Sequence, residues 1–273
     1  MEAFATKLDK AVALNQSLLC IGLDPDPEIM PTQDVALFNK RIIEATSDLV
    51  CAYKPNIGFY EALGMSGLNA LEKTLESIPS HIPIIGDAKR GDVHPFYAKA
   101  AFEVWGFDAV TVNAYAGRDT IEPFIAYADR GVFVLCRTSN PGAREFQDLV
   151  STPEFGGDPR PLYEWIALHT QSWNTQNNLG LVVGATYPDE LRRIRSLCPE
   201  LPILLPGIGA QQGALEKSVR FGVDTNGQNL IVSASRSIIY ASQDPNHYAE
   251  QARQEAQGLR SRINAELENC RPV

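Results

Sequence analysis

The stretch Ile84-Ile85-Gly86-Asp87-Ala88-Lys89-Arg90-Gly91-Asp92 begins as a buried apolar strand and ends in a burst of charge. Asp87 and Lys89 are two apart, so on a strand they point to the same face. Asp92 follows three residues later, past Gly91, where the strand gives way to a loop. Carboxylate, ammonium and carboxylate are thus crowded at one strand end. Such a cluster costs solvation free energy unless its members neutralise one another. Charged groups gathered in this way can form a functional site. The same residues could instead form a structural ion-pair network capping the strand.

Other polar residues decide between the two. Asp24, Lys54, Asn113, Thr138 and Arg236 all fall at the C-terminal ends of short apolar runs, as Asp87 and Lys89 do. A purely structural set would be spread over both ends. Near the end of the chain, Pro206-Gly207-Ile208-Gly209-Ala210-Gln211 and Ser233-Ala234-Ser235-Arg236-Ser237 place small residues and one arginine after two successive strands. Backbone N–H groups approach phosphate oxygens closely at such places, and Arg236 supplies a bidentate charge. Asp87 and Asp92 could hold Mg²⁺ through oxygens, but Lys54 and Lys89 already supply positive charge there. His81, His94, His169 and His247 are dispersed without metal-ligand spacing, and no Ser-His-Asp or Cys-His arrangement points to a covalent nucleophile.

The elements that must position these groups alternate. The spacing of Phe4, Leu8 and Val12 predicts an opening amphipathic helix. Strands are expected at 18–24, 51–58, 83–89, 108–114, 131–138, 179–186, 202–209 and 229–236. Helices are expected at about 34–50, 67–78, 96–105, 119–129, 162–176, 188–197, 213–221 and 245–268. A Gly- and Pro-rich excursion, 139–161, interrupts the rhythm and reads as a loop over the mouth. Eight strands, each followed by a helix, imply a parallel sheet and match the number that closes a (β/α)8 TIM barrel. An open doubly wound sheet is the alternative, but it usually has fewer strands, and no GxGxxG follows the first strand. With no linker or composition break, residues 1–273 read as a single domain of the α/β class.

The 273 residues are 44% hydrophobic and 21% charged, enough for one large core. A net charge of -9 argues against a nucleic-acid partner. No apolar run is long enough to span a membrane, and the N-terminus lacks the apolar core of a secretory signal. Cys20, Cys51, Cys136, Cys198 and Cys270 are odd in number and form no CxxC pair, which fits a reducing cytoplasm.

GLDPDP (22–27), YKPNIGFYEALG (53–64), GDAKRGDV (86–93), DAVTVNAY (108–115), TSNPGA (138–143), LPGIGAQ (205–211) and SRS (235–237) together resemble orotidine 5'-phosphate decarboxylases of the longer, bacterial type. The likeness covers nearly the whole chain. DAKRGD with YKPN and PGIGAQ is specific, whereas DxKxxD alone is shared with sugar-phosphate decarboxylases and synthases of the same superfamily. The resemblance implies a homodimer of barrels with shared active sites that converts orotidine 5'-monophosphate to UMP and CO₂ without metal or organic cofactor. It implies Lys89 as proton donor to C6 of the pyrimidine, Asp87 facing the leaving carboxylate, and Lys54 bridging the ribose and the charged array. Asp92 is expected to reach the partner's site, Asp24 to bind a ribose hydroxyl, and Ser139 the pyrimidine edge. Gln211 and Arg236 are expected on the phosphate, with Gly209, Ser235 and Asn113 lining the substrate. The family usually has a threonine shortly after the second aspartate. Here Val93-His94-Pro95-Phe96-Tyr97 follows, about three residues shorter and without a threonine, and His94 is either a substitute donor or a simple helix-start residue. A Mg²⁺-dependent sugar-phosphate relative such as a keto-gulonate-phosphate decarboxylase, and a catalytically dead barrel that only binds nucleotides or a partner, are the competing functions.

Overall fold

The computed structural model of the chain describes residues 2–152, 158–208 and 212–270. Its parallel strands are β1 (Leu19–Leu23), β2 (Ala52–Pro55), β3 (Ile85–Arg90), β4 (Ala109–Val112) and β5 (Gly131–Arg137). A two-residue antiparallel hairpin, β6 (Val150–Ser151) and β7 (Arg160–Pro161), then intervenes. The parallel set resumes with β8 (Leu179–Val183), β9 (Ile203–Pro206) and β10 (Leu230–Ala234). The 8-stranded sheet runs in the order β2-β1-β10-β9-β8-β5-β4-β3. Its two ends meet: Tyr53 bridges Ile84, Asn56 bridges Asp87, and the Tyr53 N–H donates to the Pro83 carbonyl at 3.0 Å. The sheet therefore closes as a (β/α)8 barrel and leaves no open edge.

Around it lie α1 (Phe4–Asn15), α2 (Val35–Thr46), α3 (Ile57–Glu61), α4 (Gly64–Ser77) and α5 (Phe96–Lys99), which runs on into a π-helical turn over 100–104. There follow α6 (Glu122–Ile125), α7 (Arg144–Gln147), α8 (Leu162–Trp173), α9 (Pro188–Leu197), α10 (Gln212–Gly222), α11 (Arg236–Ile239) and α12 (Tyr248–Cys270). Residues alternate along each strand. Leu19, Ile21 and Leu23 of β1 pack outward under the helices, while Cys20 belongs to the barrel interior. Asp34 caps α2 by accepting from the Leu37 N–H at 3.0 Å. That helix seats Phe38 against the rings of Tyr240 and Tyr248.

The predicted opening helix has a specific use: it plugs the barrel floor. Phe4 enters the interior cluster and meets the edge of Phe133, with ring centroids 5.8 Å apart. A Cβ at position 131 would lie 2.5 Å from the Phe4 ring, so Gly131 is what lets the plug seat. Lys7 adds an ion pair to Asp108 at 2.7 Å, and that carboxylate also accepts from the Ile84 N–H at 2.9 Å. Phe4→Ala is expected to destabilise the fold by about 3 kcal/mol, the lower end for a buried Phe, as a shift in the urea midpoint at unchanged slope.

Three expectations are corrected. The strand predicted over 51–58 is shorter: β2 ends at Pro55, one isolated bridge follows at Asn56, and Ile57 already starts α3. The helix predicted over 119–129 is a short 3₁₀ turn followed by the four residues of α6. The excursion 139–161 is not all loop: it holds α7 and the β6–β7 hairpin.

Candidate active site

The two-residue period of the strands builds the site. Interior positions that are apolar or small at mid-barrel become polar one or two steps toward the C-terminal end: Ala52 then Lys54, Ile85 then Asp87, Ala109 then Thr111, Ile231 then Ser233. Lys54 Nζ donates to Asp87 Oδ2 at 2.8 Å, and Lys89 Nζ donates to Asp87 Oδ1 at 2.6 Å. Thr111 Oγ1 donates to the same Oδ1 at 2.9 Å and accepts from the Lys89 N–H at 3.0 Å. Lys54 is 5% exposed and Asp87 8%, whereas the Lys89 side chain is 46% exposed. A buried ion pair thus supports an ammonium that stands at the mouth.

Asp87 and Lys89 meet for a different reason than strand alternation. Lys89 has φ +55°, in the left-handed region, and the β3–β4 register shifts between Gly86 and Arg90. This bulge folds the lysine back onto Asp87. Burial by itself pushes the Asp87 carboxyl up, but the Lys54 and Lys89 ammoniums override it and hold the group well below its ordinary 3.8. Burial pulls Lys54 down, and the carboxylates of Asp87 and Asp24 override that in turn, lifting it above its ordinary 10.5. Each group keeps its charge because of the other.

Asp92 is not part of this cluster. It is exposed, its Oδ1 accepts from the His94 N–H at 3.2 Å within its own turn, and it does not line the cavity. The expected crowding of both carboxylates on one ammonium is therefore corrected within a single chain: beyond Gly91 the backbone has left the strand. His94 is also exposed, its ring 6.2 Å from that of Phe96.

The remaining candidates surround a cavity of about 1660 Å³ over the barrel mouth. Asp24 Oδ2 accepts from Ser235 Oγ, while Asp24 Oδ1 is buried with no partner. An orphaned acceptor in a polar cavity suits a ligand hydroxyl. A Cβ at Gly22 would come within 2.7 Å of Ser235 Cβ, so the glycine lets the two residues meet. Tyr240 Oη donates to the Asp24 carbonyl at 2.8 Å and accepts from the Asp26 N–H at 2.6 Å, tying this corner to α11. Arg236 lines the cavity at the start of α11. Asn113 lines it too, although its Oδ1 is used by the Tyr115 N–H at 3.0 Å. Ser139 sits on the opposite lip, backed by Gly184, where a Cβ would lie 2.8 Å from Ser139 Cβ. Gly209 and Gln211 lie outside the described residues. Gly207, just before them, has φ +94°, which favours glycine.

Thr111 and Asn56 were missed from the sequence. The signal was parity: Thr111 precedes Asn113 by two and so shares its inward face. Both oxygens of Asp87 already face ammonium groups, and among the described residues no three His, Cys, Asp or Glu groups converge to hold a metal ion. Among them, too, no helix is long and apolar enough to cross a membrane.

This arrangement can hold a doubly or singly charged ligand along the mouth, with a fixed ammonium and carboxylate side by side at its centre. Residues 17–252 match the model of the orotidine 5'-phosphate decarboxylase / HUMPS family. The chain is 51% identical to the orotidine 5'-phosphate decarboxylase of Thermomicrobium roseum, over 96% of this chain and 95% of that one. It is 48% identical to that of Herpetosiphon aurantiacus, over 94% and 96%. The solved structure of Leishmania donovani OMP decarboxylase superposes with a TM-score of 0.85 at 36% identity, covering 97% of this chain and 99% of that one.

Proposed function

The chain belongs to the orotidine 5'-phosphate decarboxylase / HUMPS family, and from that membership we propose that it converts orotidine 5'-monophosphate to UMP and CO₂, the last step of de novo UMP synthesis. The Lys54–Asp87–Lys89 line at 2.8 and 2.6 Å carries this assignment. As the C6–carboxylate bond breaks, its electron pair stays on C6, which has no conjugated sink. The Lys89 ammonium, already fixed by Asp87, meets that charge without reorganisation and then transfers its proton to C6. Lys89 is left neutral and recovers a proton from water. Asp87 faces the leaving carboxylate, and Lys54 keeps Asp87 ionised in a buried place. Neither a metal nor an organic cofactor enters the step.

Distant groups supply binding free energy that orients the ring. Asp24, with its unpartnered oxygen, takes a ribose hydroxyl; Ser139 takes the pyrimidine edge; Asn113 lines the ring's side of the cavity. Arg236, Ser235, Gly209 and Gln211 take the phosphate. Arg236→Ala is expected to lower kcat/KM by about 10- to 100-fold, the worth of one charge-assisted contact, mainly through KM.

Asp92 acts in a second copy of the chain. It is exposed, as are Val93 and Phe96 just after it in the chain, large apolar side chains left open to solvent. A homodimer that covers this rim would bring Asp92 to the partner's Lys89 and complete a Lys-Asp-Lys-Asp array. The buried free thiols of Cys20, Cys51, Cys136 and Cys198 suit a cytoplasmic enzyme.

The test is turnover of orotidine 5'-monophosphate by the purified protein, followed by loss of pyrimidine absorbance with and without EDTA. Conversion to UMP at an unchanged rate in EDTA is expected. Tight UMP binding without conversion would sink the catalytic reading, and loss of activity in EDTA would sink the metal-free one.

A further inference from the structure

Arg137 has no part in the chemistry above, yet it is fully buried at 0% exposure, the largest such side chain among the described residues. It ends β5, where the register with β8 skips a residue between Leu135 and Arg137. That bulge turns the side chain out of the barrel, under the excursion that carries Ser139. The guanidinium lies 4.0 Å from the ring centroid of Tyr187 and 5.6 Å from that of Tyr163. Nη2 is 3.0 Å from Asp148 Oδ1 and 3.7 Å from Glu190 Oε1. Neither contact is aligned as a hydrogen bond, so charge and ring stacking hold the group. Its aligned bond is from Nη1 to Gln147 Oε1, at 3.3 Å.

Gln147 passes this fixture on. Its Oε1 also accepts from the Thr138 N–H at 3.0 Å, and its Nε2 donates to Thr138 Oγ1 at 2.9 Å. Thr138 Oγ1 then donates to Asn140 Oδ1 at 2.7 Å. Both neighbours of Ser139 are thus tied into one chain that starts at Arg137. Gly184 backs Ser139 from the other side, and the Gly184 N–H donates to the Arg137 carbonyl at 2.7 Å.

We propose that Arg137 and Gln147 are positioning residues that set the Ser139 hydroxyl against the pyrimidine edge of the substrate. The inference rests on the assignment of Ser139 to the pyrimidine. Asp24, Ser235 and Arg236, after β1 and β10, share no hydrogen bond with this chain of bonds, although Gly207, after β9, stands against the Ser139 side chain.

Gln147→Ala is the variant of choice, because it breaks the relay while leaving the buried cation beside Asp148 and the tyrosines. It is expected to weaken UMP binding and lower kcat/KM about tenfold, the worth of one or two hydrogen bonds, with ribose 5-phosphate affinity unchanged. Arg137→Lys keeps the charge but lacks the planar fork and should reproduce this pattern. In a double-mutant cycle, the loss from Gln147→Ala should largely vanish in a Ser139→Ala background. Equal losses for UMP and ribose 5-phosphate, or additive losses in the cycle, would overturn the inference and leave a packing role alone. If Ser139→Ala by itself leaves UMP affinity unchanged, the assignment of Ser139 fails first and the inference falls with it.

Discussion

Lys89→Ala is expected to lower turnover at saturating orotidine 5'-monophosphate by about 10⁴-fold or more in a protein that remains folded. General acid catalysis contributes about 10²–10⁴, and one preorganised charge stabiliser about 10²–10³. Lys89 provides both, so the two losses compound. Folding should be little affected, since the side chain is 46% exposed and Asp87 keeps its bond to Lys54. Circular dichroism and UMP affinity would establish that the variant is intact. A folded Lys89→Ala protein that still turns over within tenfold of the parent would remove the mechanism.

Asp87→Ala should fail differently, through stability as well as rate. Lys54 would be left charged and 5% exposed with its nearest counter-ion gone. Removing one member of a buried pair costs about 3–5 kcal/mol. Asp24 still faces Lys54 electrostatically and moderates the loss. Urea denaturation measures it. The double variant Lys54→Met with Asp87→Ala should regain much of that stability and remain inactive; a double variant no more stable than Asp87→Ala would show that the stranded cation is not the cause.

The pH dependence follows from the same pair. The folded pKa of Asp87 lies below its ordinary 3.8, so its contribution is present above about pH 4 and is lost as pH falls through the depressed value. The folded pKa of Lys54 lies above its ordinary 10.5, so its contribution is complete below about pH 10 and is lost as pH rises through the elevated value. Asp87→Ala should therefore flatten the acid edge of the stability profile.

The barrel was legible because its strands are continuous apolar runs buried on both faces, bounded by Pro, Gly and charge. Every one of the eight predicted strands is present, and most are shortened at the C-terminal end, where the polar residues begin, although β3 runs one residue further, to Arg90. Asp24, Lys54, Asp87 and Lys89 could be read because they break those runs. Arg137 could not: one residue beyond an apolar run, it looks like any strand-ending charge, and only the bulge turns it out of the barrel to be buried under the excursion. Arg195 is similar. On α9 it passes for a surface residue, yet its guanidinium donates to the carbonyls of Cys198, Leu201, Gly222 and Asn229. Burial without a carboxylate bonded to it pulls its pKa down to about 10. The crowding of Asp92 onto the same ammonium does not occur within one chain, because beyond Gly91 the backbone has left the strand.

The backbone at Lys89 also bears on how this protein could be altered. A left-handed φ of +55° is one that lysine adopts at a cost and that glycine or asparagine adopts readily. A library screened only for resistance to heat or protease would therefore enrich substitutions at the very position that carries the proton. Thermal selection on this chain needs a growth requirement for its product imposed at the same time, or the survivors will be sturdier barrels with nothing to do.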